Sequence, residues 1–208
     1  MRTAIIVHGI VDNREEYEKE HKMGYVPESH AHWFPWLAGQ LTVNRDILTQ
    51  CVEMPHPYKT DMKYDEWAQT FENFKINNDT ILIGHSAGCG FLLKYLATHP
   101  EMRAGQLILV APFVDPDNTT NNFMKDWDSD PGLPKRIGAA PGGLDKTAGG
   151  VEILYSTDDM STITESVRQV REKYGFEPNV RFHEFTDKDH FCFSDIGPEF
   201  PELLEIIK

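Results

Sequence analysis

The sequence predicts an α/β protein built on a doubly wound, mainly parallel sheet of about six strands. Three observations predict it. Short β-branched runs, apolar on both faces, recur along the chain; segments of helical period separate them; and the two kinds alternate from end to end. A chain of 208 residues, 40% of them hydrophobic, suits a single compact domain over 1–208 with one large core.

From the N-terminus, "TAIIV" at 3–7 is the first buried strand, and it ends in His8-Gly9. Residues 12–32 are polar, charged and rich in histidine, without an apolar period, and are expected to form a long loop. Trp33 to Leu41 has the helical pattern, and a weaker strand occupies 47–53. Tyr64 to Phe74 is the next helix, followed by the strong strand "TILI" at 80–83. In the helix Ala87 to Ala97, residues Phe91, Leu92, Tyr95 and Leu96 recur at the spacing of a buried face. "QLILVA" at 106–111 is again a strand. The stretch 115–150, rich in Gly, Pro, Asn and Asp, is a candidate lid carrying Phe123, Met124 and Trp127. "VEILY" at 151–155, a helix over Ile163 to Tyr174, a weaker strand at 179–185 and a helix over Phe200 to Ile207 complete the alternation.

Composition narrows the function classes. A formal charge of -13 repels phosphate, so neither nucleic acid nor an anionic membrane is an expected partner. Cys51, Cys89 and Cys192 form no CxxC pair, which argues against a disulfide framework or a thiolate metal site. The N-terminal apolar run is too short for a signal peptide and no later run approaches a membrane span, so a cytoplasmic protein is expected. The histidines of "ESHAH", with Glu28, would face one way if the segment were extended. No further ligands stand at recognisable positions, so neither metal nor cofactor is expected.

The chemistry concentrates at Gly84-His85-Ser86-Ala87-Gly88, a GxSxG set between a strand and a helix. A serine at the tip of such a turn is pushed out above the sheet, and flanking glycines leave it room. A serine hydroxyl needs a histidine to take its proton and a carboxylate to hold that histidine. In α/β-hydrolases these follow in the order Ser, Asp or Glu, His, on loops after later strands. Asp158 and Asp159 close the strand "VEILY", and either fits the acid. Of nine histidines, His190 alone lies both after that acid and in a loop that follows a strand. The N–H of Ala87, with that of Gly9 or Ile10, is positioned for an oxyanion hole.

With these parts in order, the chain resembles the small α/β serine hydrolases related to retinoblastoma-binding protein 9. The resemblance runs through "HWFPWLAGQL", "MPHPYKTDMKYDEW", "TILIGHSAGCGFLLKYLATHP", "YSTDD" and "FTDKDHF". It implies an α/β-hydrolase domain without a large helical cap, a nucleophile at Ser86, a base at His190, and the acid at Asp159, the second of the paired aspartates. Met160 stands where the family usually has proline. It also implies hydrolysis of small carboxylic esters, amides or thioesters through an acyl-enzyme. Residues 49–53, "TQCVE", lack the leucine of an LxCxE motif, so no retinoblastoma-type partner is expected. The rival reading is a hydrolase-fold binding protein without turnover. Sequence leaves the natural substrate and the oligomeric state open.

Overall fold

The computed structural model describes residues 1–12, 14–22, 27–99, 101–115, 117, 120, 123 and 147–208. Six strands, β1 (Thr3–Val7), β2 (Leu48–Val52), β3 (Thr80–His85), β4 (Gln106–Val110), β5 (Val151–Ser156) and β6 (Val180–Phe185), form one sheet in the order β2-β1-β3-β4-β5-β6. Every pairing is parallel. The helices are α1 (Arg14–Lys22), α2 (Phe34–Arg45), α3 (Tyr64–Phe71), α4 (Ala87–Thr98), α5 (Ser161–Tyr174), α6 (Phe193–Ile196) and α7 (Pro201–Ile206). Among the described residues, no helix is long and apolar enough to cross a membrane.

Strand position explains the strength of each sequence signal. β3, β4 and β5 are buried at every residue and β1 at all but its first, as expected of strands covered on both faces. β2 and β6 are the edges, and among their residues only Val52 is buried, which is why 47–53 and 179–185 read as weaker runs. Alternation along β1 sends Ile5 and Val7 to the cluster under α3 and α4, with Trp67, Phe71, Phe91 and Leu92. Ala4 and Ile6 face the opposite cluster, with Phe34, Leu37 and Leu41 of α2 and Leu203 of α7.

Two expectations need correction. The segment 12–32 is not all loop: Arg14–Lys22 is helical, supported by the Arg14–Glu18 pair at 2.8 Å. Its charged sequence shows no apolar stripe, so periodicity could not reveal it. Residues 28–30 form a 3-10 turn, so the extended segment in which Glu28, His30 and His32 would have faced one way is not formed. Within 115–150, Phe123 is buried against Trp67, with ring centroids 5.0 Å apart, and so belongs to the core and not to a lid. Met124 and Trp127 lie outside the described residues.

The topology fixes where a site can form. From β1 the chain moves outward to β2, then returns to the other side of β1 as β3, so the order of strands reverses between β1 and β3. A crevice opens outside the carboxyl ends of strands at such a switch point. Val7 pairs with Gly84, and the residues two positions further along each chain, Gly9 and Ser86, therefore lie at this crevice.

Candidate active site

Ser86 follows β3 directly and takes φ 54 and ψ −123, a left-handed conformation unusual for a residue with a Cβ. The neighbouring glycines make it possible. A Cβ on Gly84 would lie 2.8 Å from the backbone N of Cys89, and one on Gly88 would lie 2.6 Å from the carbonyl O of His8. Any side chain at either position would push α4 off the sheet. The Ser86 carbonyl accepts the N–H groups of Cys89 (3.0 Å) and Phe113 (3.1 Å), and its own N–H donates to Val110 (3.0 Å). The turn is thus pinned to β4 as well as to its own helix.

The three side chains expected from sequence lie around one crevice. The Nδ1 of His190 is 3.0 Å from each carboxylate oxygen of Asp159. The Asp159 carboxylate is fully buried, and its Oδ1 also accepts the N–H of Met160 at 2.7 Å. Ser86 and His190 line the same cavity, of about 260 Å³. Ile10, Phe113, Met160 and Ile163 give it apolar walls; Asp12, Lys59 and Thr162 add polar groups.

The paired aspartates divide between two contacts. Asp159 holds the imidazole, while Asp158 accepts the N–H of Asp189 at 3.2 Å and the hydroxyl of Ser156, which holds its carboxyl below the ordinary range. The Ser156 hydroxyl in turn accepts the N–H of Lys188 at 3.2 Å. The loops after β5 and β6 are thereby joined just before the imidazole contact in each chain segment.

The His190 loop is held from below by two buried rings. His85 Nε2 donates to the His190 carbonyl at 2.9 Å, and Trp33 Nε1 donates to the Phe191 carbonyl at 3.1 Å. Asp189 and Phe191, which flank His190, both have positive φ, at 43 and 58. Burial, reinforced by the nearby His190 and His32, pushes the His85 pKa far down, so its ring is a neutral Nε2–H donor. His32, beside it at 5.3 Å between ring centroids, is pushed down to about 4, mainly by burial. Its Nδ1 accepts the N–H of Phe193 at 3.2 Å.

His8 arranges the other wall. Its Nε2 accepts the N–H of Met54 at 2.9 Å, so in the neutral ring Nδ1 carries the proton and donates to the Gly9 carbonyl at 2.7 Å. Burial lowers its pKa and keeps it neutral. Gly9 packs directly on the serine: a Cβ there would lie 2.8 Å from the Cβ of Ser86. Ala87 opens α4, where the first N–H groups have no partner within the helix.

Sequence reasoning did not find His85 or Trp33 as supports of the His190 loop, nor Lys59 in the cavity. The signal for His85 was its place beside Ser86; the other two needed the tertiary fold. The thiols do not compete with Ser86: burial pushes Cys51 up to about 11 and Cys192 up to about 12, and Cys89 is buried. Among the described residues, no cluster of three or more His, Cys, Asp or Glu side chains is arranged to hold a metal ion.

Comparison with known proteins agrees with this architecture. Residues 22–177 match a family model described as serine hydrolase. YdeN of Bacillus subtilis (strain 168) is 32% identical over 94 residues, which span 43% of this chain and 47% of that protein. The chain thus matches less than half the length of that relative in sequence. The solved ydeN gene product superposes with a TM-score of 0.73 at 18% identity, covering 100% of this chain and 97% of the other. Ferulic acid-bound Est1E from Butyrivibrio proteoclasticus gives 0.60 at 14% identity, covering 100% and 90%. An esterase from Exiguobacterium antarcticum gives 0.58 at 18% identity, covering 99% and 91%. At these identities the solved structures establish the shared fold.

Proposed function

The chain belongs to the serine hydrolase family, and from that premise we propose that it cleaves small carboxylic esters through an acyl-enzyme formed on Ser86. The observation that carries this reading is the His190–Asp159 contact at 3.0 Å, on the rim of the cavity that Ser86 also lines. With Nδ1–H committed to the carboxylate, His190 Nε2 is the nitrogen left to take the Ser86 proton. The Ser86 Oγ then attacks the carbonyl carbon, and the carbonyl oxygen becomes an oxyanion.

Two backbone donors serve that oxyanion. The Ala87 N–H lies at the positive end of α4. The second comes from the Gly9–Ile10 turn. All described peptides are trans, so the C=O of Gly9 and the N–H of Ile10 point oppositely. Drawing the Gly9 carbonyl toward His8 therefore turns the Ile10 N–H the other way, and Ile10 lines the cavity. His190 gives its proton to the departing alcohol, and water, activated by the same imidazole, releases the acid and restores Ser86.

The cavity bounds substrate size. At about 260 Å³ it holds a short acyl or small aryl group. Turnover of p-nitrophenyl butyrate and labelling by a fluorophosphonate probe test the assignment together. Both are expected in the wild type and both lost in Ser86→Ala, with kcat down by about 10⁴-fold or more. A folded wild-type protein that neither labels nor turns over any ester overturns the enzymatic reading in favour of a binding role.

A further inference from the structure

Lys59 lines the same cavity as Ser86 and His190, in a protein whose charged groups are otherwise predominantly acidic. Its backbone is fixed: the Lys59 N–H donates to the Val11 carbonyl at 3.1 Å, the Val11 N–H donates to Pro57 at 2.8 Å, and Val11 and Tyr58 form a parallel bridge. This bridge carries the β1–β2 pairing past the end of the sheet. Asp12, next to Val11, is the partner of Lys59, at 3.4 Å. The Asp12 side chain is 84% exposed, against 40% for Lys59. A pair this open contributes little, and water replaces Lys59 around Asp12 at small cost. Phe113, Met160 and Ile163 line the same cavity.

We propose that the substrate is an amphipathic ester bearing a carboxylate, which Lys59 recognises in exchange for Asp12 while the apolar body of the substrate lies against Phe113 and Ile163. This inference rests on the serine-hydrolase reading and extends it to a substrate class. Lys59 is a specificity residue: it touches the non-reacting end of the substrate and takes no part in bond cleavage. Asp12 acts as its placeholder, filling the anion position when the cavity is empty and opposing the entry of an anionic substrate.

Two matched pairs of esters test it at low ionic strength. One pair is p-nitrophenyl hexanoate with the mono-p-nitrophenyl ester of adipic acid; the other is phenyl acetate with the acetate ester of p-hydroxybenzoic acid. They place the carboxylate on the acyl and on the alcohol side respectively. The readout is the ratio of kcat/KM for the anionic to the neutral member, in which any general loss of activity cancels. In at least one pair, Lys59→Met is expected to lower the ratio about tenfold, Lys59→Arg to preserve it, and Asp12→Asn to raise it. The opposite signs matter, because a purely structural clip between 12 and 59 would make both variants shift the ratio the same way or not at all. Either of those results overturns the proposal. Failure of the enzymatic reading looks different: the neutral esters are then inert in the wild type or still turned over by Ser86→Ala, and the proposal falls with it.

Discussion

Replacing Gly88 with alanine tests the close approach that shapes the whole site. An added Cβ would lie 2.6 Å from the His8 carbonyl O and closer still to that of Val7, with the Val7 carbonyl carbon at 3.0 Å. Ordinary contact begins near 3.4 Å, so the helix and strand must part by about 0.8 Å or more. β1 cannot yield, since it is paired on both sides by β2 and β3. The start of α4 must move instead, carrying Ser86 and the Ala87 N–H away from Gly9 and Ile10. Overpacking against backbone costs about 1–3 kcal/mol, partly offset by the roughly 1 kcal/mol better helix propensity of alanine, for a net loss of about 1 kcal/mol. A displacement approaching 1 Å at the reacting atoms costs about a hundredfold in kcat. The control is Gly39→Ala in α2, where a Cβ meets nothing within 4 Å; it should stabilise by up to about 1 kcal/mol and leave kcat unchanged. Urea unfolding followed by tryptophan fluorescence, with kcat on p-nitrophenyl butyrate, reads both effects. A Gly88→Ala protein as stable and as active as the wild type would refute the reasoning.

Asp159→Asn should reduce kcat by about a thousandfold or more by removing the anion that orients and stabilises the imidazolium, whereas Asp158→Asn should cost about tenfold through a loosened loop. The reverse ranking would move the acid role to Asp158. His85→Phe deletes the donor to the His190 carbonyl and should lower kcat by about ten- to a hundredfold. His85→Gln, which can still donate, should recover part of that loss, and equal activity in both variants would remove His85 from the account. Acidification should destabilise the fold through the buried neutral histidines. His32 titrates near 4 when folded and near 6.5 when unfolded. The unfolded state therefore binds more protons between those values, and stability falls as pH drops from about 6.5 toward 4. The contribution of His32 is at most about 3 kcal/mol. His32→Asn should flatten the pH dependence of the urea midpoint relative to wild type, and an unchanged slope would contradict it.

The parts that sequence made legible are those whose physics is local. Buried strands such as 80–83 and 106–110 declare themselves by continuous apolar runs, and the glycines at 84 and 88 mark a turn where backbone meets backbone. Chain order then brought Ser86, the paired aspartates and His190 into one search. Chemistry alone left Asp158 and Asp159 open, because both belong to the same turn and both accept hydrogen bonds from the neighbouring loop. Only the direction of each side chain separates them: Asp159 to the ring, Asp158 to the Asp189 N–H. The supports of His190 were hidden for another reason. Trp33 lies 158 residues from the carbonyl it holds, and His85 lies 105 residues from its own, so no spacing rule could connect them. Helix α1 escaped because a charged helix carries no apolar period.

Backbone strain accounts for the neutral histidines around the site. Ser86, Asp189 and Phe191 each hold a positive φ, a conformation that persists in non-glycine residues only where the surroundings over-determine it. A loop in that state relaxes unless its carbonyls are taken up by fixed donors. His85 and Trp33 supply them from inside the core, to successive carbonyls at 190 and 191. A lysine or a charged imidazole could also donate there, but burying a cation beneath His190 would oppose the imidazolium that the proposed mechanism forms on it. A neutral ring donates without that repulsion, and the burial that depresses the pKa of His85 keeps it neutral. The same logic extends to His8, which positions the Gly9 carbonyl from a buried, neutral state. In this arrangement the apolar core does more than stabilise the sheet, because it sets the protonation of the groups that hold the reacting loops in place.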